Sequence, residues 1–370
     1  MSVNTGAYGV GRAHAKAILI GEHAVVYGHP AIAFPVPALR ISATATLLPF
    51  PDAGRGGHEG VALDGSLTID GVPTLDGTLR MDGALTLDVP SSDTGDRRGK
   101  RRVATVGDPS TGAIYVDLHG DHGEDELAHS ALRTILTHVG QEPGRAEVHV
   151  EGSIPTARGL GSSAAMASAI AVAVARLYGH ELTSEERFEL VQFVERIAHG
   201  TPSGLDAYAT MADGPLWFQE GRAEPLAVET RPALLIADTG MPGRTLDAVA
   251  DVRRLRGQQP ETVNPALETI ASLAHEAREG LGTGDLVSVG CAMNACHDVL
   301  RSLGVSHPAL DTLVEAAREA GALGAKLTGG GQGGCIIALA PSGAELPGIA
   351  RALRAAGATH VWDVHEEDQE

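Results

Sequence analysis

The sequence predicts an α+β protein of two lobes. Strand-type segments open the chain, two well-marked helices occupy its middle, and an apolar strand restarts after Pro225 and leads into further helices and strands. The length of 370 residues suits two or three lobes with a sizeable core. Hydrophobic residues make up 43% and charged residues 20%, which excludes disordered and fibrous classes. Aromatics are only 3%, so the core must be built from Ala, Val, Leu and Ile, and stacking on bases is disfavoured. A formal net charge of -19 likewise sets the chain against nucleic acid and anionic membrane.

In chain order, Ala13 to Ala45 alternates short apolar runs with Gly and Pro and reads as two or three strands joined by tight turns. Between Leu63 and Asp88 an Asp-Gly pair recurs at Asp64, Asp70, Asp76 and Asp82, a pattern of small hairpins within a β-rich excursion over about 52–112. Arg97 to Arg102 is a dense basic cluster that reads as a solvated loop. His119, His122 and His129 read as a polar loop leading into a helix rather than a metal cluster. Ser162 to Tyr178 is an Ala-rich helix stopped by Gly179. Thr183 and Glu186 form a capping box for a second helix, with Phe188, Val191, Val194 and Ile197 on one apolar face and Glu195 near its end.

After Pro225 an apolar run, Ala233 to Ala237, precedes several helices to about Ala322 and then strand, helix and strand. The expected division is therefore 1–224 and 225–370. The Ala164 to Ala175 run is too short to span a bilayer, and with no secretory pattern a cytoplasmic location is expected. Cys291, Cys296 and Cys335 fit neither a disulfide framework nor zinc spacing and are expected to be buried thiols.

Chemistry concentrates in a few segments. Pro155 to Ser163 is a Gly/Ser loop feeding a helix, where unpaired N–H groups and the positive dipole end suit a phosphate. It lacks the Gly-Lys-Ser/Thr ending of a Walker loop and the arrangement of a hydrolase elbow. Gly329 to Gly334 formally satisfies Gly-x-Gly-x-x-Gly, but Cys335 onward is strand-like, so a hairpin leaning on a ligand fits better than a dinucleotide site. Only three lysines occur, Lys16, Lys100 and Lys326, against 25 arginines. A retained Lys at a Gly-containing segment points to a compact charge at a reacting oxygen or phosphate. Glu195 and Asp206 together supply what phosphoryl transfer asks for, one carboxylate on a metal and one at a hydroxyl, although each alone reads as a surface acid.

Three segments in order, Lys16 to Gly28, Gly159 to Ala165 and Lys326 to Gly334, resemble the motifs of the GHMP small-molecule kinases. The resemblance implies a two-lobed fold with the active site in the cleft between an N-terminal and a ferredoxin-like C-terminal domain. It implies ATP-dependent phosphorylation of the primary hydroxyl of mevalonate, with Mg²⁺. Phosphates would lie on Pro155, Gly159, Leu160, Gly161, Ser162, Ser163 and Ala164, the metal on Glu195 and Ser163, with Ser162 the alternative to Ser163. Asp206 and Lys16 would be catalytic, and Glu22, His23, Gly330 and Gly331 would face the substrate. A homodimer is expected by the same likeness. The alternatives are a kinase of the same family acting on homoserine, phosphomevalonate or a sugar, and a non-catalytic small-molecule sensor. Thr201 stands where the family usually has Asn, and the Asp-Gly excursion has no counterpart in it.

Overall fold

Segments rich in Ala, Val and Ile, interrupted by Arg12, His14 and Lys16 in the first and by Phe34, two prolines and Arg40 in the second, give two extended strands, β1 (Tyr8–Ile20) and β2 (Ala31–Leu47), paired antiparallel. The structure, a computed structural model, describes residues 8–47, 102–106, 114–118, 135, 146–200 and 202–364. The Asp-Gly pairs at Asp64, Asp70, Asp76 and Asp82, the basic residues Arg97 to Arg101, the three histidines His119, His122 and His129, and Thr201 lie outside the described residues. A one-turn 3₁₀ segment, Ala24–Tyr27, reverses the chain between β1 and β2.

Strand β3 (Arg102–Val106), β4 (Ile114–Leu118) and β5 (Ala146–Gly152) extend this sheet from β2 on one side. Strands β6 (Leu216–Gln219) and β7 (Arg222–Pro225) extend it on the other. Only the β4–β5 pairing is parallel among the described strands. Helix α1 (Ser162–Leu177) lies on the sheet and is apolar on nearly all sides, as a buried helix must be. Its fit explains the Ala-rich sequence. A Cβ at Gly9 would stand 2.0 Å from the Ala173 carbonyl oxygen, and one at Gly11 would stand 1.9 Å from that of Ala169. Helix backbone and strand backbone are thus in contact, which leaves room for methyl groups and little else.

Helix α2 (Ser184–His199) starts as its sequence directs. The Thr183 hydroxyl accepts from Glu186 N, and the Glu186 carboxylate accepts from Thr183 N, closing the capping box. Val191 and Val194 are buried, but Ile197 is 53% exposed, so the apolar face ends a turn earlier than expected. A short helix, α3 (Leu205–Ala209), follows.

Beyond β7 the chain enters a second, antiparallel sheet of β8 (Ala233–Asp238), β9 (Gly324–Thr328), β10 (Cys335–Ala340) and β11 (His360–Asp363), in the order β11-β8-β10-β9. Helices α4 (Thr245–Gln258), α5 (Pro260–Thr283), α6 (Leu286–Ser302) and α7 (Pro308–Glu319) intervene, and α8 (Leu346–Ala355) precedes β11. The glycine run joins β9 to β10 as a hairpin, as the strand-like sequence after it requires. Cys296 and Cys335 are buried, but Cys291 is exposed on α6, contrary to the expectation for all three. One apolar cluster is continuous from β1 and α1 to β8 and α6.

Gly11→Ala is expected to destabilise the protein by roughly 1–3 kcal/mol, because its methyl group would drive α1 off the sheet. Gly282→Ala, at an exposed site on α5 with no atom within 4 Å, should instead stabilise by up to about 1 kcal/mol. Urea denaturation of both variants checks the pair; equal midpoints would contradict the close packing of α1.

Candidate active site

The loop before α1 is shaped by glycine. Gly159 (φ 77°) and Gly161 (φ 74°) take left-handed conformations, and Gly161, the N-cap of α1, has no side chain with which to cap the helix. A glycine N-cap keeps the positive end of the helix open to the approach of an anion. At the next residues the Ser163 hydroxyl donates to Glu195 Oε1 at 2.6 Å, and both residues are buried. Ser163, rather than Ser162, is therefore the serine that meets Glu195. Placed near the end of α2, Glu195 is 3% exposed rather than the surface acid its sequence context allows.

Lys16, on β1, reaches the same loop from below. Its Nζ lies 3.0 Å from Asp206 Oδ1 and donates to the Gly159 carbonyl at 3.1 Å. Lys16 is 3% exposed and Asp206 36%, so the ammonium is sequestered while the carboxylate looks into the opening. Asp206 sits in the first turn of α3, entered through Gly204 at φ 96°. These groups share a cavity of about 690 Å³ with Glu22, His23, Gly330 and α4.

Glu22 and His23 follow β1 and face the second sheet. Lys326 Nζ donates to Glu22 Oε1 and, at 2.5 Å, to the Leu327 carbonyl. Lys326 is fully buried, so it serves a carboxylate in the wall rather than the reacting oxygen or phosphate its rarity pointed to. Burial pushes the Glu22 carboxyl up, with Lys326 opposing. His23 has a left-handed backbone (φ 61°), and its Nε2 donates to the Gly330 carbonyl at 3.0 Å. Burial lowers its pKa to about 4, so the ring is neutral near pH 7 and its Nδ1 carries a lone pair. Glu22 Oε2 and His23 Nδ1 have no partner, which marks this corner as built for a polar ligand.

Several expected residues stand off the cavity. Leu160 and Ala164 have side chains in the core, and Pro155 and Gly331 do not line the opening, although Gly330 does. Other features escaped the sequence. Gln192 lines the cavity with an unpartnered Oε1, on the face of α2 that carries Glu195 three residues on; that spacing was the available signal. Thr328 Oγ1 accepts from Ile18 N at 2.9 Å and donates to Ile18 O at 3.1 Å, bridging the sheets, and nothing local announces it. Leu246 and Val249 of α4 add an apolar wall. Among the described residues no group of three or more His, Cys, Asp and Glu side chains could enclose a metal. An ion here would thus draw on Ser163 and Glu195 plus ligand and water oxygens, a donor set that fits Mg²⁺.

A loop at a helix start, a buried serine–carboxylate pair and a lysine–aspartate pair in one cleft define a small-molecule kinase. The family model for the GHMP kinases N terminal domain matches residues 126–214 and that for GHMP kinases C terminal matches 259–359. The chain belongs to the GHMP kinase family. Within it, this chain is 35% identical over 353 residues to a mevalonate kinase of Thermococcus sibiricus, covering 93% of this chain and 92% of that one. It is 34% identical over 358 residues to a mevalonate kinase of Pyrococcus horikoshii, covering 95% and 93%. The crystal structure of L. major mevalonate kinase in complex with R-mevalonate superposes with a TM-score of 0.74 at 26% identity, covering 98% of this chain and 97% of that chain.

Lys326→Met should cost roughly 3–5 kcal/mol in urea denaturation, since it strands the Glu22 charge in the interior, and adding Glu22→Leu should restore most of it. A loss no larger in the single than in the double variant would show the pair to be unimportant. Stability should also fall below pH 6.5. His23 and His297 both sit near 4 when folded because burial disfavours the cation, so the unfolded chain binds more protons between their ordinary value of 6.5 and 4. Each then adds a slope of up to about 1.4 kcal/mol per pH unit, stability rising with pH. His297→Gln should flatten the measured pH dependence, and an unchanged slope would remove His297 from it.

Proposed function

We propose that this protein transfers the γ-phosphoryl group of ATP to the primary hydroxyl of mevalonate, giving 5-phosphomevalonate. The observation that carries this reading is the Lys16–Asp206 contact of 3.0 Å, with the same Lys16 Nζ on the Gly159 carbonyl of the phosphate loop. One ammonium thereby ties the proton acceptor to the loop. The identities of 34–35% with mevalonate kinases over more than nine-tenths of the chain support the choice of alcohol. Phosphomevalonate kinase and galactokinase structures, at 15% and 20% identity, share the fold alone.

In this reading Asp206 orients the hydroxyl and takes its proton as the new oxygen–phosphorus bond forms and the bond to the bridging oxygen breaks, releasing ADP. Lys16 fixes the carboxylate's direction and places positive charge beside the transferred group. The positive end of α1 receives phosphate oxygens. Ser163 and Glu195 would hold Mg²⁺, which when bound would neutralise phosphate charge. His23 Nδ1 and Glu22 receive the substrate's hydroxyl donors, and Gly330 holds the ring of His23. Gly331, off the opening, acts through the hairpin's shape.

The domain division we propose falls at 224/225. In its favour, the first sheet ends with β7 at Pro225, one residue past the division, and β8 opens the second at Ala233. We further propose a cytoplasmic homodimer; no helix among the described residues is long and apolar enough to cross a membrane.

An ATP-consumption assay with mevalonate, phosphomevalonate, homoserine and galactose tests the reading, which requires mevalonate to be strongly preferred. Asp206→Asn should keep ATP and mevalonate affinity while single-turnover transfer drops roughly 10²-fold or more, the usual scale for a lost general base. Lys16→Arg should be nearly as slow as Lys16→Ala, because a planar guanidinium cannot occupy the space of an ammonium between Asp206 and Gly159. Near-normal transfer by the Asn variant in rapid-quench measurements would strip Asp206 of the base role.

A further inference from the structure

The phosphate loop is gripped from two directions, and the reaction uses only one of them. From β1, Lys16 reaches the Gly159 carbonyl, and Lys16 N donates to Leu160 O at 3.0 Å. From the second sheet comes Asp238, the last residue of β8, whose carboxylate is 4% exposed. Arg158 Nε lies 2.9 and 3.0 Å from its two oxygens. The same guanidinium donates through Nη2 to the Gly240 carbonyl at 3.1 Å and through Nη1 to the Thr156 carbonyl at 3.4 Å, while Gly240 N donates to Asp238 Oδ1 at 2.8 Å. Next to it, Gly243 N donates to the Ala157 carbonyl at 2.7 Å. Ala157 carries the loop's non-glycine left-handed backbone (φ 53°), a conformation that persists only where its surroundings hold it.

Arg158 does not line the cavity, although both of its neighbours do. All three guanidinium nitrogens are directed at protein acceptors. We propose that Arg158 and Asp238 form a clasp that holds the phosphate loop in register with the start of α1, making Arg158 a positioning residue for the nucleotide rather than a phosphate ligand. This inference rests on the reading of the loop as the ATP phosphate site. Its signature is selective. Loosening the clasp frees Ala157, on the nucleotide side, whereas Lys16 still ties Gly159 to Asp206 and Gly330 still holds His23.

The test uses the full chain with Arg158→Ala, Asp238→Asn, the double variant and Arg158→Lys. Calorimetry with Mg-ADP alone gives an affinity free of turnover, and steady-state kinetics give the two KM values and kcat. Both single variants should weaken ADP and raise the KM for ATP by about tenfold or more, the scale of a lost charge-assisted hydrogen bond. The double variant should be no worse than the poorer single, because the two residues act through one contact. The KM for mevalonate and kcat at saturating ATP should stay within about twofold. Amide exchange over 156–161 should quicken.

Arg158→Lys keeps a cation for Asp238 and so guards against failure to fold; losing the fork onto Gly240 and Thr156, it should fall between wild type and Ala. Unchanged nucleotide affinity in the variants would overturn the clasp while leaving the kinase reading intact. A penalty in Arg158→Ala without one in Asp238→Asn would also overturn it, because an arginine acting directly on phosphate would be freed, not lost, when Asp238 is neutralised. A wild-type protein that binds no Mg-ADP would overturn both the clasp and the function on which it rests.

Discussion

One face of β9 governs the site. In a strand, residues two apart point the same way, and Lys326 and Thr328 use that register to reach across to the first sheet. Lys326 meets Glu22, and Thr328 satisfies both backbone groups of Ile18. Between Ile18 and Ile20 the pairing of β1 with β2 shifts register, so Thr328 braces β1 at an irregular point. Lys16 lies two residues before Ile18 on the same strand, and His23 directly follows Glu22. The height of the ammonium beside Asp206 and the placement of the imidazole are therefore both referred to β9.

Burial then sorts the charged groups into roles. Lys326 and Glu22 are both withdrawn from water and neutralise each other in the wall; such a pair specifies geometry more than it adds stability. Lys16 is equally buried but faces a carboxylate with an open side, leaving Asp206 able to meet a ligand. A third layer stands behind β9, where His297 Nδ1 accepts from Leu327 N at 3.3 Å and its Nε2 donates to Asp311 at 3.1 Å. These interactions run from α6 and α7 to the cleft without a break.

Much of this was legible in the sequence because it is local. The capping box of Thr183 and Glu186, the Ala-rich α1, the strand-like run after Gly334 and the loop at the start of α1 each need only a few neighbouring residues to be read. The contact of Lys16 with Asp206 was legible only through the likeness of whole motifs, since 190 positions separate the two residues (206 − 16). What escaped depends on tertiary context. Thr328 reads as an ordinary strand residue, Arg158 as a loop arginine and Asp238 as a strand end, and none signals its partner. Lysine scarcity did single out Lys326, but composition cannot tell a charge in the wall from one in the cleft. Helix periodicity likewise put Ile197 on the apolar face of α2, where it is exposed.

The bridges at β9 also have a temporal side. Lys326 and Glu22 are 304 positions apart, and Thr328 and Ile18 are 310 apart. On the ribosome, β1 must wait for nearly the whole of the described chain before either contact can form, and closing so long a loop is entropically late. Until then Glu22 stays hydrated and Lys16 lacks its fixed height. A chain without β9 therefore has neither bridge, and the fixed geometry of the cleft is a property of residues drawn from both ends of the described chain.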